Sequence, residues 1–250
     1  MTQPTQPRHL PVLPDADWQR VLCIVAHPDD MEYGTSAAVH TWTQRGIEVA
    51  YVLLTAGEAG MSEAPEVVAP IRAAEQRRAC DIVGVRSLTI LDHPDGMLEP
   101  GLDLRRSVAR EIRKFRPDVV VTGEFSFEAY GSLNQADHRA AGMAVIDGTR
   151  DADNTWVFRE LAEDEGLTKW RTKAILVAGS AEPTHALAVD QSAVDASVQS
   201  LQSHEAYLRH VVGHPDPADF IPEILRGGGL AAGTDFAVPF RIHDLAGLAG

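Results

Sequence analysis

The sequence predicts an α/β protein, a single domain with a mostly parallel sheet flanked by helices. Three observations carry this. Uninterrupted apolar runs of strand length recur along the first half of the chain, and such runs suit strands buried on both faces. Amphipathic patterns alternate with them, which implies βαβ units and right-handed crossovers. The chain has 250 residues, enough for one large core, and no repeat, low-complexity segment or linker divides it. Residues 1–17 read as a polar, Pro-rich, extended lead-in and 18–250 as the domain.

Val21-Leu-Cys-Ile-Val-Ala26 is the first buried strand, ending abruptly in His27-Pro28-Asp29-Asp30. A helix is expected over Glu32 to Arg45, stopped by Gly46. Val49 to Thr55 is the second strand, followed by a loop with Gly57 and Gly60. Pro65 to Gly84 reads as a helix with Val67, Val68, Ile71 and Ala74 on one face. Leu88 to Leu91 is a short strand. Leu104, Val108, Ile112 and Phe115 mark an amphipathic helix, and Pro117 ends it. Its Arg105, Arg106, Arg110, Arg113, Lys114 and Arg116 read as a solvated face. Strands follow at Asp118 to Thr122, Ala174 to Val177 and Ala186 to Val189. A helix is expected from Ser192 to Arg209, with Val194, Val198, Leu201 and Leu208 as its buried stripe. Beyond Gly213 the pattern is weak. Gly227-Gly-Gly229 with Gly233 reads as a mobile loop, because no Lys-Ser/Thr follows to make a P-loop.

Composition removes several partners. Lys plus Arg is 22 and Asp plus Glu is 36, a net charge of −14. Nucleic-acid binding rests on phosphate neutralisation, so so acidic a chain is a poor fit for it, and equally for an anionic membrane surface. Cys23 and Cys80 form no CxxC pair, so neither a disulfide framework nor a thiolate metal site is expected, and the setting is read as reduced and cytoplasmic. No apolar stretch approaches the roughly 18 residues of a membrane span. The start of the chain lacks the charged end and apolar core of a signal peptide.

In open α/β sheets, ligands bind beyond the carboxyl ends of the strands. Here the first such turn is Ala26-His27-Pro28-Asp29-Asp30-Met31-Glu32. It lacks the glycines that let backbone cradle a phosphate. One imidazole and three carboxylates so close together are costly unless a cation neutralises them. Imidazole and carboxylate oxygen suit Zn2+ or Fe2+ in an open catalytic site. A tight turn aims His27 and Asp30 at one point and leaves Asp29 in reach of a water there. The competing reading is a helix start whose acids complement the dipole. A third ligand is needed, and Asn134-Gln135-Ala136-Asp137-His138-Arg139 offers His138, with Asp137 placed to orient a ring.

These residues resemble the PIG-L or LmbE-like N-acetylglucosaminyl deacetylases, which include mycothiol- and bacillithiol-pathway enzymes and the glycosylphosphatidylinositol de-N-acetylase. The AHPDD(x)E hallmark stands at Ala26 to Glu32. The Leu54 to Gly60 loop, Arg72 and Glu75, Pro94-Asp95-Gly96, and Pro183-Thr184-His185 through Asp190 with a later His204 also resemble the family. The resemblance spans about Val21 to Leu208. It implies a Rossmann-like fold and metal-dependent removal of an acetyl group from a glucosamine moiety of a small glycoconjugate. It implies one Zn2+ per chain, with Fe2+ or another divalent ion as alternatives, held by His27, Asp30 and His138, and Asp29 as general base. Where the family carries His-x-Asp-His, this chain has Gln135, which donates a hydrogen bond but no proton. His204 is the alternative proton donor, Gln135 and Asp137 serve the oxyanion or a ligand ring, and Arg72, Glu75 and Asp95 are candidate sugar contacts. Rival readings are an amidase on a non-sugar or thiol-conjugate substrate, and a metal-retaining binding protein with little turnover. A homo-oligomer is left open.

Overall fold

The computed structural model describes residues 9–246. Of the lead-in expected over residues 1–17, residues 1–8 lie outside the described residues. Within the rest, Val12 bridges to Ala186 and Leu13 is buried.

The elements run β1 (Arg20–Val25), α1 (Thr35–Gln44), β2 (Glu48–Leu53), α2 (Pro65–Val83), β3 (Ser87–Ile90), α3 (Leu102–Phe115) and β4 (Val119–Gly123). A small hairpin follows, β5 (Glu128–Ala129) and β6 (Ser132–Leu133), then α4 (Ala136–Ala152) and α5 (Glu160–Glu163). The chain continues with β7 (Ala174–Ala178), β8 (His185–Ala188), α6 (Gln191–Gln202), α7 (Glu205–His210), α8 (Pro217–Ala232) and β9 (Ala237–Asp244). Seven strands form one sheet in the order β3-β2-β1-β4-β7-β9-β8. Every pairing from β3 to β7 is parallel, while β9 runs antiparallel to both β7 and β8. The α/β class with a mostly parallel sheet therefore holds.

Strand side chains alternate between two cores, as a period of two requires. Val21, Cys23 and Val25 enter a core with Trp42, Val83, Leu201 and Leu225, while Leu22, Ile24 and Ala26 enter another with Leu104, Val108, Ile112 and Val145. Burial on both faces is why β1, β2 and β4 read as unbroken apolar runs.

Four sequence expectations need correction. The α2 face that turns inward carries Val68, Arg72, Glu75, Gln76, Ala79 and Val83, and leaves Val67 and Ile71 outward. Polar residues are buried there because that face abuts the β1 turn. The helix expected from Ser192 to Arg209 breaks at His204 into α6 and α7. Gly227 to Gly229 lie inside α8 and form no loop. A Cβ at Gly228 would meet the Ala237 carbonyl oxygen at 2.2 Å, so the glycines let α8 press onto β9. The α3 cations are paired: Arg105 with Asp151, Arg106 with Glu160 and Arg110 with Glu165. Arg113 is buried and donates to the carbonyls of Asp151, Ala152, Asn154, Val157 and Phe158.

Candidate metal centre and cleft

The strand order reverses between β1 and β4, since β2 follows β1 on one side and β4 lies on the other. A crevice opens at such a switch point, beyond the carboxyl ends of the two strands. Here it is a cleft of about 760 Å3 lined by residues from both strand ends, among them His27, Asp29, Asp30, Thr122 and Glu124.

The β1 turn folds back on itself. The His27 backbone N–H donates to Asp30 Oδ2 at 2.9 Å. Asp30 Oδ1 then lies 3.1 Å from His138 Nε2 and 3.7 Å from His27 Nδ1. The opposite faces of both rings are engaged. His138 Nδ1 is 3.1 Å from Asn134 Oδ1, and the Asn134 amide is oriented by donating to the Glu124 and Ser126 carbonyls. An amide oxygen only accepts, so Nδ1 donates its hydrogen there and Nε2 is the nitrogen turned toward Asp30. His27 Nε2 is 3.0 Å from Asp95 Oδ1 and 3.3 Å from Asp137 Oδ2. That arrangement places its Nε2 hydrogen toward those carboxylates and turns Nδ1 toward Asp30. One ligand atom from each of His27, Asp30 and His138 falls within 4.8 Å of the others, the spacing a metal ion needs.

His27, Asp95 and Asp137 satisfy the same spacing. Their carboxylates, however, are also held by backbone N–H groups. Asp95 Oδ2 accepts from Ala59 N–H, and Asp137 accepts from Gly96 and Leu98 N–H. They act as anchors that orient His27. Both Asp137 and Asp95 contact the His27 ring.

Opposite charges at the site hold one another in place. Burial opposes charge on His27, yet Asp30, Asp137 and Asp95 outweigh it and push the imidazole up to about 12. Burial also opposes the Asp30 anion, but His138 and His27 overcome it and hold its carboxyl well below the ordinary range. A group of carboxylates that grips a proton this firmly is a donor set suited to a divalent ion.

Asp29 stands beside this set, buried, with its backbone in the left-handed region at φ 84. A non-glycine residue there is strained by about 1–3 kcal/mol and needs over-determining contacts. They come from α2. The Asp29 N–H donates to Gln76 Oε1 at 3.0 Å, and Arg72 contacts Asp29 Oδ1 at 3.1 Å while donating to the Pro28 and Gly57 carbonyls. Arg72 is in turn covered by the Tyr207 ring at 3.9 Å. Burial, partly offset by Arg72, raises the Asp29 carboxyl to about 7.

The expected site residues thus divide. His27, Asp29, Asp30, Arg72, Asp95, Gln135 and His138 all line the one cleft, and Asp137 sits directly behind His27. His204 and Glu75 are not brought to it. His204 is fully buried, with Nε2 3.9 Å from Glu32 Oε2 and neither ring nitrogen hydrogen-bonded. Burial, with the nearby Arg72 and Arg78 charges, pushes it down to about 3, and it does not line the cleft. Glu75 Oε1 accepts the Ala206 N–H at 2.6 Å and caps the start of α7. Gln76, Glu124, Tyr130 and the aromatic residues of α7 and α8 were not singled out from sequence. Gln76 alone carried a signal, four residues after Arg72 and so on the same helix face.

Comparison with known proteins agrees with this geometry. Residues 22–148 match the family described as PIG-L: GlcNAc-PI de-N-acetylase. The chain is 33% identical over 139 residues to diacetylchitobiose deacetylase of Thermococcus kodakarensis, covering 54% of this chain and 50% of that protein. It is 34% identical over 138 residues to a probable N-acetyl-alpha-D-glucosaminyl L-malate deacetylase 2 of Bacillus anthracis, covering 52% of this chain and 58% of that one. The chain spans about half the length of the curated relatives it matches. Among solved structures, N,N'-diacetylchitobiose deacetylase of Pyrococcus horikoshii superposes with TM-score 0.81 at 22% identity, covering 94% of this chain and 90% of that one. The 4-carboxy-2-hydroxymuconate hydratase GalB of Pseudomonas putida shares the fold with TM-score 0.68 at 16% identity, covering 90% and 95%, so the fold also carries other chemistry. With the hallmark turn closed over Asp30 and His138 as described, and the match running from β1 into α4, the chain belongs to the PIG-L family.

Proposed function

We propose that this protein hydrolyses the acetyl amide of an N-acetylglucosamine moiety in a small glycoconjugate, using a divalent ion, zinc by preference, held by His27, Asp30 and His138. The observation that carries the reading is the convergence of those three donors with Asp29 beside them at the cleft floor. Named relatives that act on diacetylchitobiose and on N-acetylglucosaminyl malate support the substrate class.

A bound divalent ion there supplies a lowered pKa for water and polarisation of the acetyl carbonyl. The remaining work falls to side chains. Asp29, fixed by Gln76 and Arg72, accepts a proton from the attacking water as its oxygen bonds to the carbonyl carbon. Gln135, at the cleft wall, donates a hydrogen bond to the developing oxyanion. As the C–N bond breaks, the departing nitrogen needs a proton. Among the described residues the only histidines lining the cleft are His27 and His138, and both are committed as ligands. Asp29 therefore returns the proton it took, giving acetate and the free amine.

The test pairs metal analysis with acetate release from small N-acetylglucosamine conjugates. About one divalent ion per chain and measurable acetate are expected. Asp29→Asn keeps the ion and slows release roughly 10²–10⁴-fold. Undiminished release in that variant overturns the assignment of the base. A fully metallated wild type that releases no acetate overturns the deacetylase reading.

A further inference from the structure

The cleft is much larger than the acetamide it is proposed to cut, and its other side has a different character. Tyr33, Tyr207, Phe220 and Ile224 line it. The last three lie beyond residues 22–148, the part that matches the family. Tyr33 and Phe220 meet edge to face with centroids 6.1 Å apart, and His214 packs against both, at 5.8 and 6.4 Å. His214 Nδ1 is 2.7 Å from the Pro215 carbonyl and must carry its hydrogen there. Its Nε2 therefore accepts from the Tyr33 hydroxyl at 2.9 Å. The Tyr33 hydroxyl is thus already used, and what the cleft receives from this cluster is ring surface.

Charge on the lining is one-sided. Asp29, Asp30, Asp95 and Glu124 line the cleft, and among the described residues Arg72 is its only lysine or arginine. Arg72 is not free to meet a ligand. Its terminal nitrogens serve Gly57, Pro28 and Asp29, Tyr207 covers its face, and its Nε is buried. Beside the aromatic wall an anionic group finds no unpaired lysine or arginine among the described residues, whereas a flat, uncharged group finds aromatic faces.

Resting on the amino-sugar reading above, we propose that Tyr33, Tyr207, Phe220 and Ile224 form a subsite for the group attached to the sugar, and that this group is neutral with a flat apolar face. A second sugar ring or an aryl group has that chemistry. An attached group bearing a carboxylate or phosphate does not.

Three probes test this on the metal-loaded full chain: N-acetylglucosamine, its phenyl glycoside and its p-carboxyphenyl glycoside, each glycoside as both anomers. Binding is measured by isothermal titration calorimetry and acetate release in parallel. At least one phenyl anomer binds about tenfold tighter than the free sugar, the gain that one aromatic contact supplies. The matching carboxyphenyl glycoside loses that gain. Phe220→Ala and Tyr207→Ala bring the phenyl glycoside back toward the free sugar, and if either fails to fold the probe series on the unaltered chain decides. A carboxyphenyl glycoside that binds tighter than its phenyl counterpart overturns the proposal, as does a series in which no glycoside exceeds the free sugar. The expected binding order without acetate release defeats the deacetylase reading and leaves the subsite standing. Acetate release with a flat binding series does the opposite.

Discussion

The two sides of the cleft are held by different physics. The side built from the β1 turn, the end of β4 and the start of α4 is polar and over-determined. Asp30, His27, His138, Asp95 and Asp137 each meet at least two partners. The side built from α7 and α8 with Tyr33 is aromatic, and its ring cluster is fixed by two side-chain hydrogen bonds, Tyr33 to His214 and His214 to the Pro215 carbonyl. Geometry that must be right within a fraction of an ångström is secured by directional bonds, while recognition of a face tolerates the looser fit of ring contacts. Apart from Tyr33, the aromatic side comes from later in the chain than the polar side.

Breaking the polar side has the largest expected effect. His138→Ala removes one of three ligands and leaves Asp30 without its nearest imidazole. Loss of the bound divalent ion, together with all acetate release, is expected by mass spectrometry and assay. An ion retained at full occupancy removes His138 from the ligand set. Asp137→Asn leaves the ligands in place and weakens only the anchor behind His27. A fall of about 10–100-fold in metal affinity, read by competition with a chelating dye, is expected for such an orienting carboxylate. An unchanged affinity shows that Asp95 alone orients the ring. The smallest change comes at Gln135→His, which adds a proton donor where Asp29 already returns the proton. The gain in rate stays well below the roughly hundredfold of a first general acid, and an alkaline limb enters the pH profile. A profile without that limb shows that the new imidazole is not reached by the departing nitrogen.

The same contrast governs how much was legible. The strands β1, β2 and β4 are unbroken apolar runs, so the α/β class and a mostly parallel sheet followed from pattern, whereas the strand order and the antiparallel β9 did not. The β1 turn was legible because three carboxylates beside a histidine have few inexpensive arrangements. The inward face of α2 was not, because Arg72 and Gln76 are buried for their contacts with the turn and Glu75 for its contact with the start of α7, against the rule that apolar residues face inward. The break at His204 was hidden because Leu201 and Leu208 keep a helical spacing of seven across it. For α8 and β9, Pro222, Gly227 to Gly229 and Pro239 interrupt every periodicity, although each fits its place. Phe220 and Ile224 of the cleft wall come from this stretch, which carried no motif to announce them.

The position of β9 has a consequence for biosynthesis. It is the last strand of the sheet in chain order, yet it sits between β7 and β8. Until residues 237–244 leave the ribosome, β7 presents an open edge and β8 has lost its only strand partner. Open edges are templates for mispairing. A nascent chain stalled before Ala237 therefore carries a finished metal-ligand turn on an unfinished sheet, and is the form most exposed to aggregation and to chaperone capture.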